Sequence, residues 1–530
     1  MAILLAVAAF GLDAIVAAAR PPVPKFHDEF SYLLAADTFA LGRLTNPTHL
    51  HWRHFETFHV IQNPSYASKY PPGQGLFLAA GQWAAGRPLV GVWLLSALAA
   101  MACYWMLLGW TSPGWAAVGG LLFVVQPGYQ LVWAQSYWGG TLAFAGGALV
   151  FGAAVRMRRR SRVVDALAMA VGAAALAVSR PFEGLVFCVL TGCWVLWSWA
   201  RVGLPPWREL LLRTVLPQAV VLAAGGILLA TYHRAITGDP ATFPYAVHEH
   251  QYAQAPMFLG QSPTTGRSYN HPMIDRFHSR WAMDWHRRQQ SLTGVLATKL
   301  EMTGHALSLF LPPLVAIPLL FLRPWRTGRL TPVAVVGILA FLASLVSIWN
   351  FPHYMAPFAP LLLIGIVWGL RHGSVAARRL LPRYGFAATL VGLQVIACVN
   401  VARIYATSPR VGWQWQRDSI VKMLEKSPGR HLVMVQYGER HDPCQEWVYN
   451  AADIDGSRVV WARVMEPESD AKLRNYFGDR QAWLLEPDSQ RLVPLNQAPL
   501  AQSHSSGSLP LVGRAGEGGE KLVHGSSPLP

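Results

Sequence analysis

The apolar runs of this sequence are as long as membrane-spanning helices, and they limit the fold more than any other feature. A helix needs about 20 predominantly apolar residues to cross the hydrocarbon core of a bilayer. The chain has 530 residues, 52% hydrophobic and only 14% charged, which is too apolar for an ordinary soluble enzyme of this length. We therefore predict an α-helical polytopic membrane protein with about 11 transmembrane helices. The candidate spans are residues 1–20, 89–109, 114–132, 138–155, 163–179, 184–200, 214–232, 296–322, 331–349, 354–370 and 385–404.

Arginine is unevenly distributed among the short loops between these runs. Residues 156–162 carry five arginines, whereas the loops near 133–138 and 349–353 carry none, and rich loops alternate with poor ones. Cytoplasmic loops have an excess of Lys and Arg, so the pattern predicts a cytoplasmic N terminus and an extracytoplasmic C terminus. This topology explains the net charge of +16 better than nucleic-acid binding does. The arginine-rich loops are 156–162, 201–213, 323–329 and 371–383.

Three large regions then lie on the outer side, namely 21–88, 233–295 and everything after residue 404. The run at 1–20 is either a retained helix or a cleaved signal peptide, because small residues precede Arg20. It lacks a basic segment at its start, so we favour a retained helix. Both alternatives place residue 28 outside.

The character of the sequence changes after the last apolar run. We predict a transmembrane domain over 1–404 and a small α/β extracytoplasmic domain over 405–496. Here "HLVMVQY", "RVVWARV" and "QAWLLEP" are typical of buried strands, and "SDAKLRNYF" is typical of a helix capped by its serine. The string "EWVYNAADID" at 446–455 either packs on the sheet as a loop or contacts an acceptor. The tail at 497–530, rich in Ser, Gly and Pro, is predicted to be disordered.

Two adjacent acids, Asp28 and Glu29, follow the first apolar run in "PKFHDEFSYLLAADTFALGRL". Acids in a first turn, apolar residues behind them and Gly42 near the end predict a helix. The acids are therefore either ordinary helix-start residues or groups for proton transfer at the outer face of the bundle.

Cations and hydrogen-bond donors occur at three further outer positions. "SKYPPGQGLF" sets Lys69 and Tyr70 before a proline pair, which cannot continue a helix. "VSRPFEGL" contains Arg180, and "WNFPHYMAPFAP" contains His353 and Tyr354. Each alone is explained as a membrane-interface anchor. Taken together with two carboxylates, they indicate an acid–base site at the outer membrane surface.

These motifs, in this order, resemble those of the GT-C superfamily of polytopic glycosyltransferases. They are similar to the bacterial group that includes protein O-mannosyltransferases and lipid A aminoarabinose transferases. "HDEFSYLLAADTFALGRL" resembles the acidic signature of the first outer loop, and "KYPPGQGLFLAAG" the proline turn before the second span. "SRPFEGL" and "FPHYMAPFAPLL" resemble later landmarks, so the resemblance covers about residues 1–404.

The resemblance implies a sugar donor on a polyprenyl phosphate or diphosphate, presented at the outer face, and inversion at the anomeric carbon. It also implies that Asp28 is the catalytic base. A carboxylate there, with Glu29 beside it, suits removal of the proton from an attacking acceptor hydroxyl. The chain shows no nucleotide-binding glycine loop, which agrees with a lipid-borne donor.

The leaving phosphate needs cations and hydrogen-bond donors near it. Lys69 and Arg180 are the predicted cations, one a point charge and the other a bidentate fork. His353 and Tyr354 are predicted to donate hydrogen bonds to the same phosphate. We therefore predict a glycosyltransferase of the bacterial cytoplasmic (inner) membrane that acts on the periplasmic side of the cell envelope. Its acceptor is a lipid, a polysaccharide or a protein.

The outer region 233–295 is long and interleaves aromatic, His and Arg residues, which is typical of a lid or an acceptor-binding loop. The alternative is an interfacial loop with aromatic anchors. His248, Glu249 and His250 suggest a metal, but on a strand Glu249 would point to the opposite face. We expect no cofactor, with a divalent cation as the alternative. Weaker contacts to sugar or acceptor are predicted for Glu56, Glu183, Tyr245, His248, Tyr252 and Trp281.

Two other function classes stay open. One is a transporter or flippase of lipid-linked sugars, and the other is a non-catalytic membrane scaffold. Coupled transporters often carry ionisable residues at mid-membrane, whereas the spans predicted here contain few. Asp13 is the exception.

Overall fold

The computed structural model describes residues 1–322, 328–382, 384–495 and 509–510. The predicted disordered tail lies outside these ranges except for Leu509–Pro510, which pair with a strand. Arg323, Arg326 and Arg383, which contributed to the predicted topology, also lie outside them.

Helices make up most of the described chain as far as residue 407. Several begin at a proline, because its fixed φ suits the first turn of a helix, where the missing N–H has no partner in any case. The helices of this part are α1 (Ala2–Ala19), α2 (His27–Ala40), α3 (Gly73–Ala85), α4 (Pro88–Leu108), α5 (Pro113–Val124), α6 (Thr141–Met157), α7 (Val163–Ala177), α8 (Pro181–Val202), α9 (Trp207–Thr237), α10 (Pro244–Tyr252), α11 (Pro272–Asp275), α12 (Ala282–Arg288), α13 (Leu292–Phe310), α14 (Pro313–Phe321), α15 (Thr331–Ser344), α16 (Pro360–Ala376) and α17 (Gly385–Thr407).

Among the described residues, six of these helices are long and apolar enough to cross a membrane, and the bent pair α13 and α14 would be a seventh. They make the chain a helical, polytopic integral membrane protein. The other four predicted spans contain apolar helices of 12 to 17 residues, namely α5, α6, α7 and α15. The predicted count of eleven spans is therefore not confirmed.

Prolines explain why two predicted spans are not continuous helices. Helix α5 ends at Val124, shortly before Pro127, and a π-helical turn at Gly128–Trp133 follows. Pro312 and Pro313 lack the backbone N–H that would continue α13, and α14 leaves at an angle of 86°.

Helix α6 occupies the centre of the bundle. All of its residues except Leu149 and Arg156 are buried. Small residues let its neighbours approach closely, as expected where helices pack within a membrane. For example, a Cβ on Gly146 would lie 2.9 Å from the carbonyl oxygen of Gly172 on α7. The close fit of α6 and α7 leaves the loops that precede α6 and follow α7 next to one another.

The chain after α17 forms helix α18 (Trp413–Lys426), a sheet and helix α19 (Pro467–Tyr476). The three predicted strands are confirmed as a parallel set, with β3 between β4 and β5. An antiparallel strand, β6, was not predicted. The sheet has the order β4-β3-β5-β6-β7, and a separate hairpin of β1 and β2 lies between α2 and α3. The strands are β1 (Val60–Ile61), β2 (Ala67–Ser68), β3 (Arg430–Val435), β4 (Val459–Arg463), β5 (Arg480–Glu486), β6 (Arg491–Pro494) and β7 (Leu509–Pro510).

The predicted serine cap of α19 is wrong. Glu466 occupies the N-cap position and Pro467 begins the helix, because proline is favoured at the first helical position. Ser469 lies inside the first turn, and its hydroxyl is 2.9 Å from His54 Nε2 in the first outer loop. The division of the chain into domains at 404 and 496 stays a prediction.

The segment 446–455 fastens the C-terminal sheet to α2. The ring of Tyr449 stacks on that of Phe30, with centroids 4.1 Å apart and planes 2° from parallel. Asp37 accepts a hydrogen bond of 2.6 Å from the backbone N–H of Ala452. The short helix that carries the two predicted catalytic acids is therefore held by residues near the other end of the sequence.

Candidate active site

Asp28 lies in the first turn of α2, where the sequence predicts a helix start. Its Oδ1 accepts a hydrogen bond of 2.5 Å from the Tyr70 hydroxyl and lies 3.3 Å from His59 Nε2. Its Oδ2 accepts a hydrogen bond of 2.8 Å from the indole N–H of Trp138. The side chain retains 19% of its exposure. The carboxylate is thus oriented by three neighbours and remains accessible to a ligand.

Glu29 points away from this cluster and is only 2% exposed. Its carboxylate accepts hydrogen bonds from the backbone N–H groups of Lys25 at 2.7 Å, Phe26 at 3.0 Å and Tyr137 at 2.9 Å. Burial raises the pKa of Glu29, while these N–H groups act in the opposite direction. The bonds to 25 and 26 satisfy the start of α2, as in one half of a capping box. The bond to Tyr137 sets the following residue, Trp138, in position.

The Pro-Pro-Gly turn after Tyr70 brings that residue and Lys69 into the cluster. The backbone N–H of Gly73 donates to the Val178 carbonyl at 2.9 Å. A Cβ on Gly73 would lie 2.6 Å from the same oxygen, so only glycine permits this approach. Because Arg180 follows Val178 by two residues, the contact brings two of the predicted motifs together.

His59 contacts Asp28 from an uncommon backbone conformation. Its φ is 61°, in the left-handed region that few residues other than glycine adopt. The His59 carbonyl accepts hydrogen bonds from the Ser31 hydroxyl at 2.6 Å and from the Lys69 N–H at 3.2 Å, which hold it there. Strained residues of this kind concentrate at functional sites. Burial lowers the pKa of His59 well below its usual value, and the charge of Lys69 acts in the same direction.

Lys69 is paired with residues of the segment 233–295, most of which follows α9. Its Nζ lies 3.3 Å from Glu249 Oε1 and 4.5 Å from the centroid of the Tyr245 ring. Burial raises the pKa of Glu249, but Lys69 and the neighbouring His248 and His278 together outweigh this effect, and the pKa falls to about 2. His248 Nδ1 lies 3.6 Å from the same carboxylate oxygen, and burial lowers the pKa of His248 to about 4.

The strand assumed for residues 248–250 is wrong, because they lie on helix α10. Pro244 at the first helical position starts this helix. The carboxylate of Glu249 is therefore available to Lys69 instead of lying on the opposite face of a strand.

Arg180 immediately precedes α8, and its guanidinium lies 4.6 Å from the centroid of the Tyr354 ring. The His353 ring packs on that of Trp138, with centroids 4.5 Å apart, which links this group to Asp28. A small pocket beside Arg180 is formed by α2, the Pro-Pro-Gly turn and the loop before α6. Its other lining residues are Tyr32, Pro71, Gln74, Gly139, Gly140, Leu142 and Ser179. The four predicted phosphate-binding residues thus lie in one cluster with Asp28, although their roles stay predictions.

Glu56 and Tyr252 form a separate pair. The Tyr252 hydroxyl donates to Glu56 Oε1 at 2.8 Å, and the Asn270 amide donates to Oε2 at 2.8 Å. Burial raises the pKa of Glu56, and these two hydrogen bonds oppose the rise. The Tyr252 ring packs on His248, with centroids 5.0 Å apart. Glu56 therefore adjoins the cluster through His248 and makes no direct contact with Asp28 in the described structure.

The remaining weaker predictions lie at different places. Glu183 is buried in the first turn of α8, three residues after Arg180. Trp281 packs its ring on Phe277 and on Trp349, with centroids 4.8 Å and 5.9 Å apart. Tyr245 alone of the weakly predicted aromatic residues contacts a predicted phosphate-binding residue.

The side chains of His59 and Trp138 contact Asp28, and neither was predicted to belong to the site. A signal for Trp138 was present, because "SYWGG" combines an aromatic residue with two glycines at the outer start of an apolar run. His59 lies in a polar loop without periodicity, and nothing in its surroundings indicates a contact with residue 28. Tyr70 was noted for its motif and not as a hydrogen-bond donor to the carboxylate.

Metal ligands are not grouped in the parts of the chain that the structure describes. Within 1–322, 328–382 and 384–495, no three or more His, Cys, Asp or Glu side chains are arranged to hold a metal ion.

No protein-family profile matches the sequence, and no curated protein matches it. Among solved structures, the fold is similar to ArnT from Cupriavidus metallidurans bound to undecaprenyl phosphate, with a TM-score of 0.54 and 15% identity over 92% of this chain and 93% of that chain. The apo form of ArnT gives a TM-score of 0.51 and 14% identity over the same shares. The archaeal oligosaccharyltransferase AglB from Archaeoglobus fulgidus, in complex with an inhibitory peptide and a dolichol-phosphate, gives a TM-score of only 0.43 and 10% identity over 92% of this chain and 69% of that one. At these identities the likeness to ArnT, a lipid A aminoarabinose transferase, establishes a shared fold, and the predicted resemblance to GT-C proteins is confirmed at that level.

Proposed function

We propose that this chain is an inverting glycosyltransferase that moves a sugar from a polyprenyl-phosphate lipid to an acceptor at the outer face of the membrane. The observation that carries the proposal is the accessible Asp28 carboxylate, oriented by Tyr70 and Trp138 and accompanied by Lys69 and Arg180. The ArnT structure of the same fold holds undecaprenyl phosphate, which supports a lipid-phosphate donor here.

Asp28 acts as the general base of the transfer. As the acceptor oxygen bonds to the anomeric carbon, the bond from that carbon to the phosphate oxygen breaks with its electron pair. The acceptor proton passes to Asp28, and polyprenyl phosphate leaves. Entry and departure on opposite sides invert the anomeric centre. A positioned base of this kind contributes about 10²- to 10⁴-fold in rate.

Lys69 and Arg180 stabilise the charge that develops on the leaving phosphate. The planar guanidinium of Arg180 suits two phosphate oxygens, whereas Lys69 is a point charge that the phosphate shares with Glu249. Tyr354, under the guanidinium of Arg180, and His353 beside it donate hydrogen bonds to the same group. Glu29 positions the site and does not exchange protons, because its oxygens are already occupied by backbone N–H groups.

The topology that accompanies this function has all eleven apolar helices crossing the bacterial cytoplasmic membrane. Helix α6 spans about 26 Å at 1.5 Å per residue, close to the roughly 30 Å thickness of the hydrocarbon core. The N terminus is then cytoplasmic. The sheet with α18 and α19 forms the α/β domain of residues 405–496 on the periplasmic side, where the acceptor is a lipid, a polysaccharide or a protein.

A transporter of lipid-linked sugars is the second candidate. Its support is Asp13, a fully buried acid in the apolar helix α1. Acids inside membrane spans often mark ion or proton pathways. Transport needs a sealed compartment, whereas sugar transfer does not, and this difference decides between the two candidates.

The test uses purified protein in detergent with a radiolabelled pool of polyprenyl-phosphate sugars and cell-envelope acceptors. Wild type, Asp28→Asn and the control Asp284→Asn are compared at equal folding, since Asp284 is an exposed acid paired with Arg287 outside the site. We expect label to leave the lipid with wild type and the control but not with Asp28→Asn. Equal transfer by all three removes Asp28 from catalysis. If none of the three proteins transfers label in detergent, and the wild type moves labelled lipid across the membrane of sealed vesicles, the transporter is the correct function and the glycosyltransferase is not.

A further inference from the structure

A second cleft, of about 280 Å³, lies on the first outer loop at the C-terminal sheet. One wall comes from the residues that follow α2, and the other from the end of the "EWVYNAADID" segment and of α19. The side chains that give the cleft its chemistry are Arg43, His49, Tyr66, Asp453, Asp455 and Tyr476.

Aromatic rings and carboxylates face each other in this cleft. The His49 and Tyr476 rings meet edge to face, with centroids 5.2 Å apart, and 46% of the Tyr476 surface is exposed. Asp455 lies between them, with Oδ1 at 3.1 Å from His49 Nε2 and Oδ2 accepting from the Tyr476 hydroxyl at 3.1 Å. The Asp455 side chain nevertheless keeps 53% of its exposure. Aromatic surfaces beside a few fixed polar groups are the usual lining of a small-ligand site.

The lining of the cleft offers carboxylates to a ligand, whereas the Asp28 cluster also offers the cations Lys69 and Arg180. Among the lining side chains, the carboxylates of Asp453 and Asp455 outnumber the guanidinium of Arg43. Arg430 and Arg480 do not line the cleft but donate to the backbone carbonyl of Asp455. A phosphate group is therefore disfavoured in the cleft by like-charge repulsion. Hydroxyl and ammonium groups, which donate hydrogen bonds to carboxylates, are favoured. Sugar rings present such donors at their edges and apolar C–H faces that stack on aromatic rings.

A hydrogen bond joins the lining of the cleft to α2, the helix that carries Asp28. Ala452, which also lines the cleft, donates its N–H to Asp37 on α2. Asp37 and Asp28 are nine residues apart on that helix, a distance of about 14 Å along its axis. A single sugar ring is shorter than this length of helix, so a saccharide that contacts both places needs several rings.

We propose that this cleft binds a saccharide segment of the acceptor, uncharged or carrying amino groups, and so aligns its reactive end with the Asp28 cluster. This proposal deepens the function proposed above and rests on it in one respect, namely that the bound saccharide is part of the acceptor. Binding itself is independent of catalysis, so the two can fail separately.

The experiment measures saturation-transfer NMR between the full-length protein in detergent micelles and two small probes. The first is the β-1,4-linked trisaccharide of glucosamine, and the second is trigalacturonate, which has a comparable ring number and the opposite charge. Wild type is compared with Asp455→Asn and Tyr476→Ala, with Tyr476→Phe as the conservative variant. The matched control is Glu468→Gln, an exposed acid in the first turn of α19 that pairs with Lys472 and does not line the cleft.

We expect transfer to the glucosamine trisaccharide with wild type, the control and Tyr476→Phe. A loss of at least fivefold is expected for Asp455→Asn and Tyr476→Ala, and trigalacturonate is expected to give a weak signal throughout. Asp28→Asn retains the signal, so a loss of glycosyl transfer in that variant leaves this inference intact. No signal with wild type, equal signals in every variant, or a stronger signal from trigalacturonate overturns the proposal. If Tyr476→Ala does not fold, Asp455→Asn decides the outcome, because the side chain it changes is exposed.

Discussion

Replacing Glu29 by glutamine distinguishes the two adjacent acids of α2. Both Glu29 and Asp28 were predicted to be catalytic, but the structure gives them different neighbours. Glu29 accepts three backbone N–H groups, whereas Asp28 accepts from side chains and stays accessible. Glutamine preserves the shape of the side chain, but its NH₂ end then faces at least one N–H group and leaves it without an acceptor.

The size of the effect follows from that count. One buried N–H without its acceptor costs about 1–3 kcal/mol. If all of this free energy is lost from the placement of Trp138 in the active site, the transfer rate falls by about 5- to 150-fold. We expect Glu29→Gln to lower the unfolding temperature and to reduce the transfer rate within that range. Asp28→Ala, in contrast, should reduce the rate by about 10²- to 10⁴-fold. We expect a smaller change in unfolding temperature than for Glu29→Gln, because Asp28 is partly exposed and water can replace it as the acceptor for Tyr70 and Trp138.

The assay measures transfer of radiolabelled sugar with and without added formate, together with thermal unfolding in detergent. Formate supplies a small external carboxylate and is expected to restore part of the rate of Asp28→Ala, but not that of Glu29→Gln. A rate loss above about 10⁴-fold in Glu29→Gln at an unchanged unfolding temperature would refute the reasoning, because it would make Glu29 a reacting group.

Four other outcomes follow from the same geometry. Lys69→Met should raise the KM for the donor about tenfold or more, since a hydrogen bond to a charged group contributes about 1.5–3 kcal/mol; an unchanged KM in a donor titration contradicts its phosphate role. The unfolding temperature should decline as the pH falls from about 6.5 towards 4, because His248, whose pKa is lowered to about 4, stays neutral while the unfolded chain takes up a proton. His248→Gln should remove about 3 kcal/mol of the loss in unfolding free energy between pH 6.5 and pH 4. If the stability curve of the variant runs parallel to that of the wild type from pH 4 to pH 8, His248 is not the cause. Tyr449→Ala should lose the stack on Phe30, worth about 0.5–1.5 kcal/mol beyond burial, whereas Tyr449→Phe should keep it in the same unfolding assay. Chelation by EDTA should leave the transfer rate unchanged, and a loss that Mn²⁺ restores would favour the divalent-cation alternative.

The parts of the fold that depend on local sequence could be predicted. The helix start at Asp28 follows from acids in a first turn, and the three parallel strands follow from short apolar stretches. The lengths of the apolar helices were predicted less accurately than these local features. A run of apolar residues continues through Pro312–Pro313, where the helix itself breaks. The π-helical turn after α5 is hidden for the same reason.

The composition of the candidate site was predictable where a motif contains unusual residues, as at Lys69, Arg180 and His353. The sequence predicted that these residues lie close together only because the arginine pattern placed their loops on the same side of the membrane. The contacts of His59 and Trp138 with Asp28 could not be derived, because they depend on how separate loops meet. Glu249 was set aside because a strand was assumed at 248–250, and helical geometry at Pro244–Tyr252 changes which groups lie beside Lys69.

The hydrogen bond between Asp37 and Ala452 joins residues 415 positions apart in the chain. Protein synthesis delivers the N-terminal end first, so α2 leaves the ribosome long before its last packing partner exists. Nearly the whole chain must be synthesised before the helix that carries Asp28 has all of its packing partners. An unfinished chain therefore carries Asp28 on a helix that still lacks its C-terminal packing partners.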